Sequence, residues 1–196
     1  MKNNSVENQK SLKNQTDENL NNKIIVIQND KSKSIIFQAE YAKEFSKTDS
    51  TQYVFFDIDK KTVKYIEENL KVEYCKTFKN WSDNLYGYII ETAKQRKDKK
   101  TAEEYQVYKD EIEKNCEINS NELEYYDKQM IGINNIYGNK AICIQLLDLR
   151  NDTENLKNSI ESNFILGYDG WFESNNRKII IFLIDEKKFV VSKEDK

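Results

Sequence analysis

The stretch YVFFDIDKKTVKYIEENLKVEYC, residues 53–75, decides how this chain is read. Four large apolar and aromatic residues lead into Asp57 and Asp59, and Val63, Ile66 and Leu70 then recur at helical spacing. Asp59 is placed to cap that helix. KVEYC (71–75) offers a second strand-like run. The segment therefore predicts a compact β-α-β unit or, with so short a crossover, an antiparallel return.

On the N-terminal side, KIIVIQ (23–28) and KSIIFQ (33–38) flank the turn-rich NDKS and predict a hairpin, and AEYAKEF (39–45) a short helix. Residues 1–22 are polar, Asn-rich and aperiodic, the signature of a disordered tail. On the C-terminal side the pattern is helical from Trp81 to about Asn115. Trp81, Leu85, Tyr88, Ile89 and Thr92 share one predicted face, and Ala102, Tyr105, Tyr108 and Ile112 another. Two such helices joined by KQRKDKK (94–100) predict an antiparallel helical hairpin. NELEYYDKQM (121–130) reads as a third, weaker helix. KAICIQLLDL (140–149) lacks alternation, as a central strand buried on both faces would. Residues 151–164 predict a helix with Leu156 and Ile160 inward, FILGYDGWF (164–172) a strand with turn residues, and 177–193 a final hairpin. The expected fold class is α+β: a mixed β-sheet with flanking helices, residues 23–196 forming one domain with a helical insertion at about 81–130.

Composition narrows the chemistry. With 12 Tyr, 9 Phe and 2 Trp the chain has the aromatics of a packed core. The Lys/Asn/Ile bias is that of an AT-rich genome, which makes any lysine run less informative. A net charge of −3 argues against a strongly basic nucleic-acid binder. Histidine is absent, so Ser-His-Asp and Cys-His catalysis and histidine-held zinc are excluded. Cys75, Cys116 and Cys143 are odd in number and widely spaced, which predicts free thiols in a reducing compartment. The longest apolar run, IIIFLI (179–184), is far short of a membrane span. Together these predict a cytoplasmic protein with no membrane segment.

Three predicted strands end in acid: at Asp57 and Asp59, at Asp148 and at Asp185. On neighbouring parallel strands these carboxylates would meet at one sheet edge and hold Mg²⁺ for phosphoryl transfer, with Asp57 and Asp59 as principal ligands. VFFDIDKKT locally resembles the first motif of haloacid-dehalogenase-type phosphohydrolases and the paired-Asp motif of primase-polymerases. Lys60 and Lys61 stand where the former has Gly-Thr, and the histidine of the latter is missing, so neither family is assigned.

The reading that fits the composition best is a non-catalytic protein-binding domain of inhibitor, immunity or regulatory type, such as mobile elements carry. It needs no cofactor and would act by occluding or bridging another protein. Its contact residues would be Tyr168 and Trp171 in GYDGWFES, together with Lys94, Arg96, Lys97, Lys99 and Lys100 in the charged joint. The Mg²⁺-dependent enzyme is the alternative, and nucleic-acid contact through residues 94–100 a further one.

Overall fold

The structure, a computed structural model, describes residues 23–45, 54–134, 139–151, 156–162 and 177–191. Seven strands form one mixed sheet: β1 (Ile24–Gln28), β2 (Lys33–Phe37), β3 (Val54–Phe56), β4 (Asp127–Asn134), β5 (Lys140–Leu147), β6 (Arg177–Leu183) and β7 (Lys188–Val190). Their order is β1-β2-β4-β5-β6-β7. β3 pairs with the last three residues of β4, on from the stretch that β2 pairs. Among the described residues only β2 and β4 run parallel, and every other pairing is antiparallel. The fold is α+β, with a mixed sheet, flanking helices and a helical hairpin.

The predicted hairpins are present: Val26 lies opposite Ile35 in the first, and Phe182 opposite Phe189 in the last. β5 is central, between β4 and β6. Its residues alternate between two apolar layers, which explains the missing alternation in its sequence. Ile142, Ile144 and Leu146 face the larger cluster, while Cys143 and Leu147 join the smaller one.

Segment 53–75 is neither a β-α-β unit nor an antiparallel strand return. α2 (Lys60–Ser82) follows β3 and runs straight through KVEYC. Leu70, Tyr74, Phe78 and Trp81 continue the stripe that Val63 and Ile66 begin, and all six are buried. Burial of that long stripe against the sheet outweighs the local strand preference of Val72 and Tyr74. Asp59 is the predicted cap: its Oδ1 accepts from the backbone N–H of Lys61 and Thr62, both at 2.9 Å, and its Oδ2 from the Thr62 hydroxyl at 2.7 Å.

The helical hairpin is longer than expected. α2 passes through one π-helical turn (Asp83–Gly87) into α3 (Tyr88–Gln95), and α4 (Lys99–Glu122) returns. The π turn takes in extra residue per turn and rotates the next face. Ile90 and Ala93 are therefore buried, while Leu85 and Tyr88, predicted to face inward, are exposed. Contacts along the seam advance on one arm as they retreat on the other. The Ser120 hydroxyl donates to the Lys71 carbonyl (2.9 Å), Cys75 is bridged to Cys116, Lys109 pairs with Asp83 (2.7 Å), and the Tyr86 ring meets Tyr105 at 5.7 Å. The expectation of three free thiols thus fails at two: Cys75 and Cys116 form a disulfide, with Cα atoms 5.0 Å apart, and Cys143 is the free one.

The third predicted helix is absent. α4 ends in a 3₁₀ turn (Leu123–Tyr125), and DKQM opens strand β4 instead. The larger cluster fills the space between α2 and the sheet. The smaller lies on the other face, where Ile35, Phe37, Ile131 and Leu147 meet Ala42 of α1 (Ala39–Phe45) and Ile160. Leu156 and Ile160 do pack inward, but from a 3₁₀ turn (Leu156–Asn158) and the turns after it.

Candidate functional site

The four aspartates do not share a site. Asp57 Oδ1 accepts the Ala39 N–H at 2.7 Å, so it caps α1 from a distance while Asp59 caps α2. Both carboxylates answer unpaired N–H groups at helix starts. Asp148 follows β5, whose last residue lies opposite Arg177, and Asp185 follows β6, whose last residue lies opposite Ala141. Because β5 and β6 are antiparallel, these two acids stand at opposite ends of the strands, roughly 27 Å apart for about eight residues at ~3.4 Å each. Asp148 also grips Arg150 at 2.6 Å, and Arg150 holds its carboxyl below the usual range. Asp185 is exposed in the β6–β7 turn. Convergence at one edge required parallel neighbours, and the pairing supplies none. Among the described residues there is no group of three acids, cysteines or histidines able to hold a metal.

The charged joint is at the hairpin tip, as predicted. Lys97 closes α3 in the left-handed region (φ 59°). Its N–H donates to the Lys94 carbonyl, and the Asp98 N–H donates to the Ala93 carbonyl at 2.9 Å. This is a Schellman closure with lysine where glycine is usual. Asp98 then caps α4 through the Thr101 N–H and hydroxyl, which hold its carboxyl below the usual range. The connection is so tight that Lys94, Arg96, Lys97, Lys99 and Lys100 are all exposed around it. Lys94 pairs with Glu91 at 3.0 Å; among the described residues the other four make no ion pair. Below the tip, Leu85 and Tyr88 are exposed on one arm, Tyr88 by 73%, and Val107 and Tyr108 on the other. Tyr108 packs against Tyr86 and Tyr105, so it is half core and half surface, where the sequence suggested core alone. Tyr168 and Trp171 lie outside the described residues.

At the opposite end, where the hairpin meets the sheet, is a cavity of about 300 Å³ that the sequence did not reveal. The β1–β2 turn (Asn29 to Ser32), α2 (Glu67, Leu70, Lys71), the 3₁₀ turn (Leu123, Glu124) and Lys128 of β4 line it. The Lys128 side chain is only 7% exposed, with its ammonium 3.2 Å from Glu67. Glu67 also accepts from the Ser34 hydroxyl at 2.5 Å. At the rim, Lys31 pairs with Glu124 at 2.7 Å and lies over the Tyr125 ring, 4.4 Å from its centre. Arg150 approaches the same ring at 5.2 Å and pairs with Glu122 at 2.6 Å. Lys31 draws the Glu124 carboxyl below its ordinary pKa, while burial, with Asp148 and Glu122 nearby, pushes the Tyr126 hydroxyl up to about 12. Lysine at position 128 was the available signal, in a run whose neighbours are buried on both faces. Reading DKQM as helix hid it.

Comparison of the chain with protein-family models, curated proteins and solved structures finds no match in any of the three. Among the described residues no helix is long and apolar enough to cross a membrane.

Proposed function

We propose that this protein is a non-catalytic binding module that holds an acidic protein partner at the tip of its helical hairpin. The observation that carries this reading is the exposure of Leu85, Tyr88, Val107 and Tyr108 on the two arms below a tip where Arg96, Lys97, Lys99 and Lys100 make no ion pair among the described residues. Aromatic anchors beside arginine are the usual composition of an interface centre. Unpaired cations on so tight a turn favour an acidic surface. The Mg²⁺ enzyme draws no support from the geometry, since Asp57 and Asp59 cap helices, Asp148 pairs with Arg150, and Asp185 stands in a turn at the far end of the strands. The Cys75–Cys116 bridge fits an oxidising compartment better than the cytoplasm expected from sequence.

The test is capture of partners by the tagged protein from its own host, in parallel with Leu85→Asp/Tyr88→Asp, Arg96→Glu/Lys99→Glu and, as a control on the same hairpin, Val72→Asp. The reading expects one stoichiometric protein that both tip variants lose and the control keeps. A partner retained by the tip variants overturns it, as does nuclease-sensitive nucleic acid captured instead.

A further inference from the structure

We propose that the cavity at the base of the hairpin binds a small zwitterion of the amino-acid type. This goes beyond the partner-binding reading and does not depend on it. The cavity lies about 25 residues of helix below the tip, roughly 37 Å at 1.5 Å per residue.

The floor of the cavity is the first argument. Lys128 is buried, yet Glu67 is its one ionic partner among the described residues. An ammonium carries three N–H donors, so two remain for whatever occupies the space that Lys128 lines. A buried ammonium with two spare donors calls for further oxygen acceptors, and a ligand carboxylate supplies them. Glu67 does not offer a second anion to the ligand's cation, because one oxygen serves Lys128 and the other Ser34.

The charge balance of the lining is the second. Three lysines (Lys31, Lys71, Lys128) face three acids (Asp30, Glu67, Glu124). A dianion such as phosphate would meet three carboxylates, and a simple cation three ammonium groups. A molecule carrying both signs matches both sets. Lys31 and Glu124 satisfy each other. Lys71 and Asp30 make no ion pair among the described residues, which leaves one cation and one anion at the rim. The ligand's carboxylate accordingly sits on Lys128 with Lys71 behind it, and its ammonium faces Asp30.

The third argument is size and wall. About 300 Å³ is the lower end of ligand cavities and ample for an amino acid. Leu70 and Leu123, both buried, provide an apolar wall for a side chain.

Calorimetry and thermal unfolding of the full chain test this, using the free amino acids singly, each beside its N-acetylated and its carboxamide counterpart, with acetate and inorganic phosphate as further probes. The expected result is saturable binding of at least one apolar amino acid, weakened tenfold or more when either charge is capped. Asp30→Asn, at an exposed turn, is expected to weaken binding about tenfold with the melting temperature of the free protein unchanged. Lys128→Met/Glu67→Gln, which removes the buried pair together, is expected to abolish it. Equal binding of capped and free forms overturns the proposal. So does phosphate or acetate binding as tightly as the amino acid, affinity indifferent to Asp30→Asn, or no response to any probe.

Discussion

Breaking the bridge between Cys75 and Cys116 tests the hairpin directly. The two cysteines are 41 positions apart. In the chain-entropy relation, a cross-link closing a loop of that length removes about 13 cal/mol/K from the denatured state, or about 4 kcal/mol at 25 °C. Residual pairing of the helices in the denatured chain reduces the gain, so the expected loss is about 2–4 kcal/mol. Urea unfolding followed by circular dichroism measures it on air-oxidised protein, with and without reductant, and on Cys75→Ser/Cys116→Ser. With a slope of about 2 kcal/mol/M, the midpoint falls by about 1–2 M in the reduced protein and in the double variant alike. Thiol titration supplies the companion number. Denatured, unreduced protein is expected to show a single reactive cysteine, Cys143. In native protein that cysteine is expected to react much more slowly, since it is partly buried and burial pushes its thiol up to about 12. Three reactive thiols in the unreduced denatured chain, or equal midpoints with and without reductant, would refute the reasoning.

Gln145 is wholly buried opposite Gln129, and among the described residues neither its amide nitrogen nor its oxygen has a hydrogen-bond partner; Gln145→Met is expected to raise stability by about 1–3 kcal/mol in the same urea assay, and a loss would show that the amide is satisfied. Asp59→Ala is expected to cost about 1 kcal/mol near neutral pH through loss of the α2 cap. The Thr62 hydroxyl and backbone donors hold the Asp59 carboxyl below its ordinary value, so its ionised form contributes above the unfolded pKa of about 3.9 and loses that contribution as pH falls through the folded value. The gap between wild type and variant should therefore narrow as pH falls below about 3.9, and a constant gap would exclude the ionised cap. A Cβ at Gly132 would stand 2.5 Å from the Phe56 carbonyl oxygen and 2.9 Å from its ring. Gly132→Ala is expected to push β3 off β4 at a cost of about 2 kcal/mol or more, seen as faster hydrogen exchange confined to β3.

Much of this fold is legible in the sequence because its outer strands lie in hairpins with short turns, and because Asp59 carries its capping chemistry beside the helix it starts. The errors have one physical origin, which is that burial on two sides erases the pattern. Tyr126 and Met130 are four apart, as on a helix, yet Tyr126 is the extended residue that leads into β4 and Met130 lies on that strand, whose alternate residues Gln129 and Ile131 are buried on the opposite face. KVEYC looked like a strand in its own window, and only the continuing stripe through Phe78 and Trp81 marks it as helix. The π turn is a different case, since one extra residue rotates the following face and no local composition signals it. Of the site residues, the basic tip followed from hairpin connectivity. The cavity did not, because Lys31, Glu67 and Lys128 come from three distant segments and meet only when β2 and β4 pair in parallel.

That single parallel pairing sets an order of events during synthesis. Everything from Gln38 to Tyr126 must leave the ribosome before β2 can find β4, a wait of roughly 5–20 s at ordinary elongation rates. For that interval the β1–β2 ribbon is an isolated two-stranded piece, marginal by itself. The hairpin arms, by contrast, touch one another within one continuous segment that ends before β4, through Lys71–Ser120, Cys75–Cys116 and Asp83–Lys109. A nascent chain stalled just after Glu122 should therefore display a formed helical hairpin on an unformed sheet, and the emergence of β4 is the step that turns two fragments into one domain.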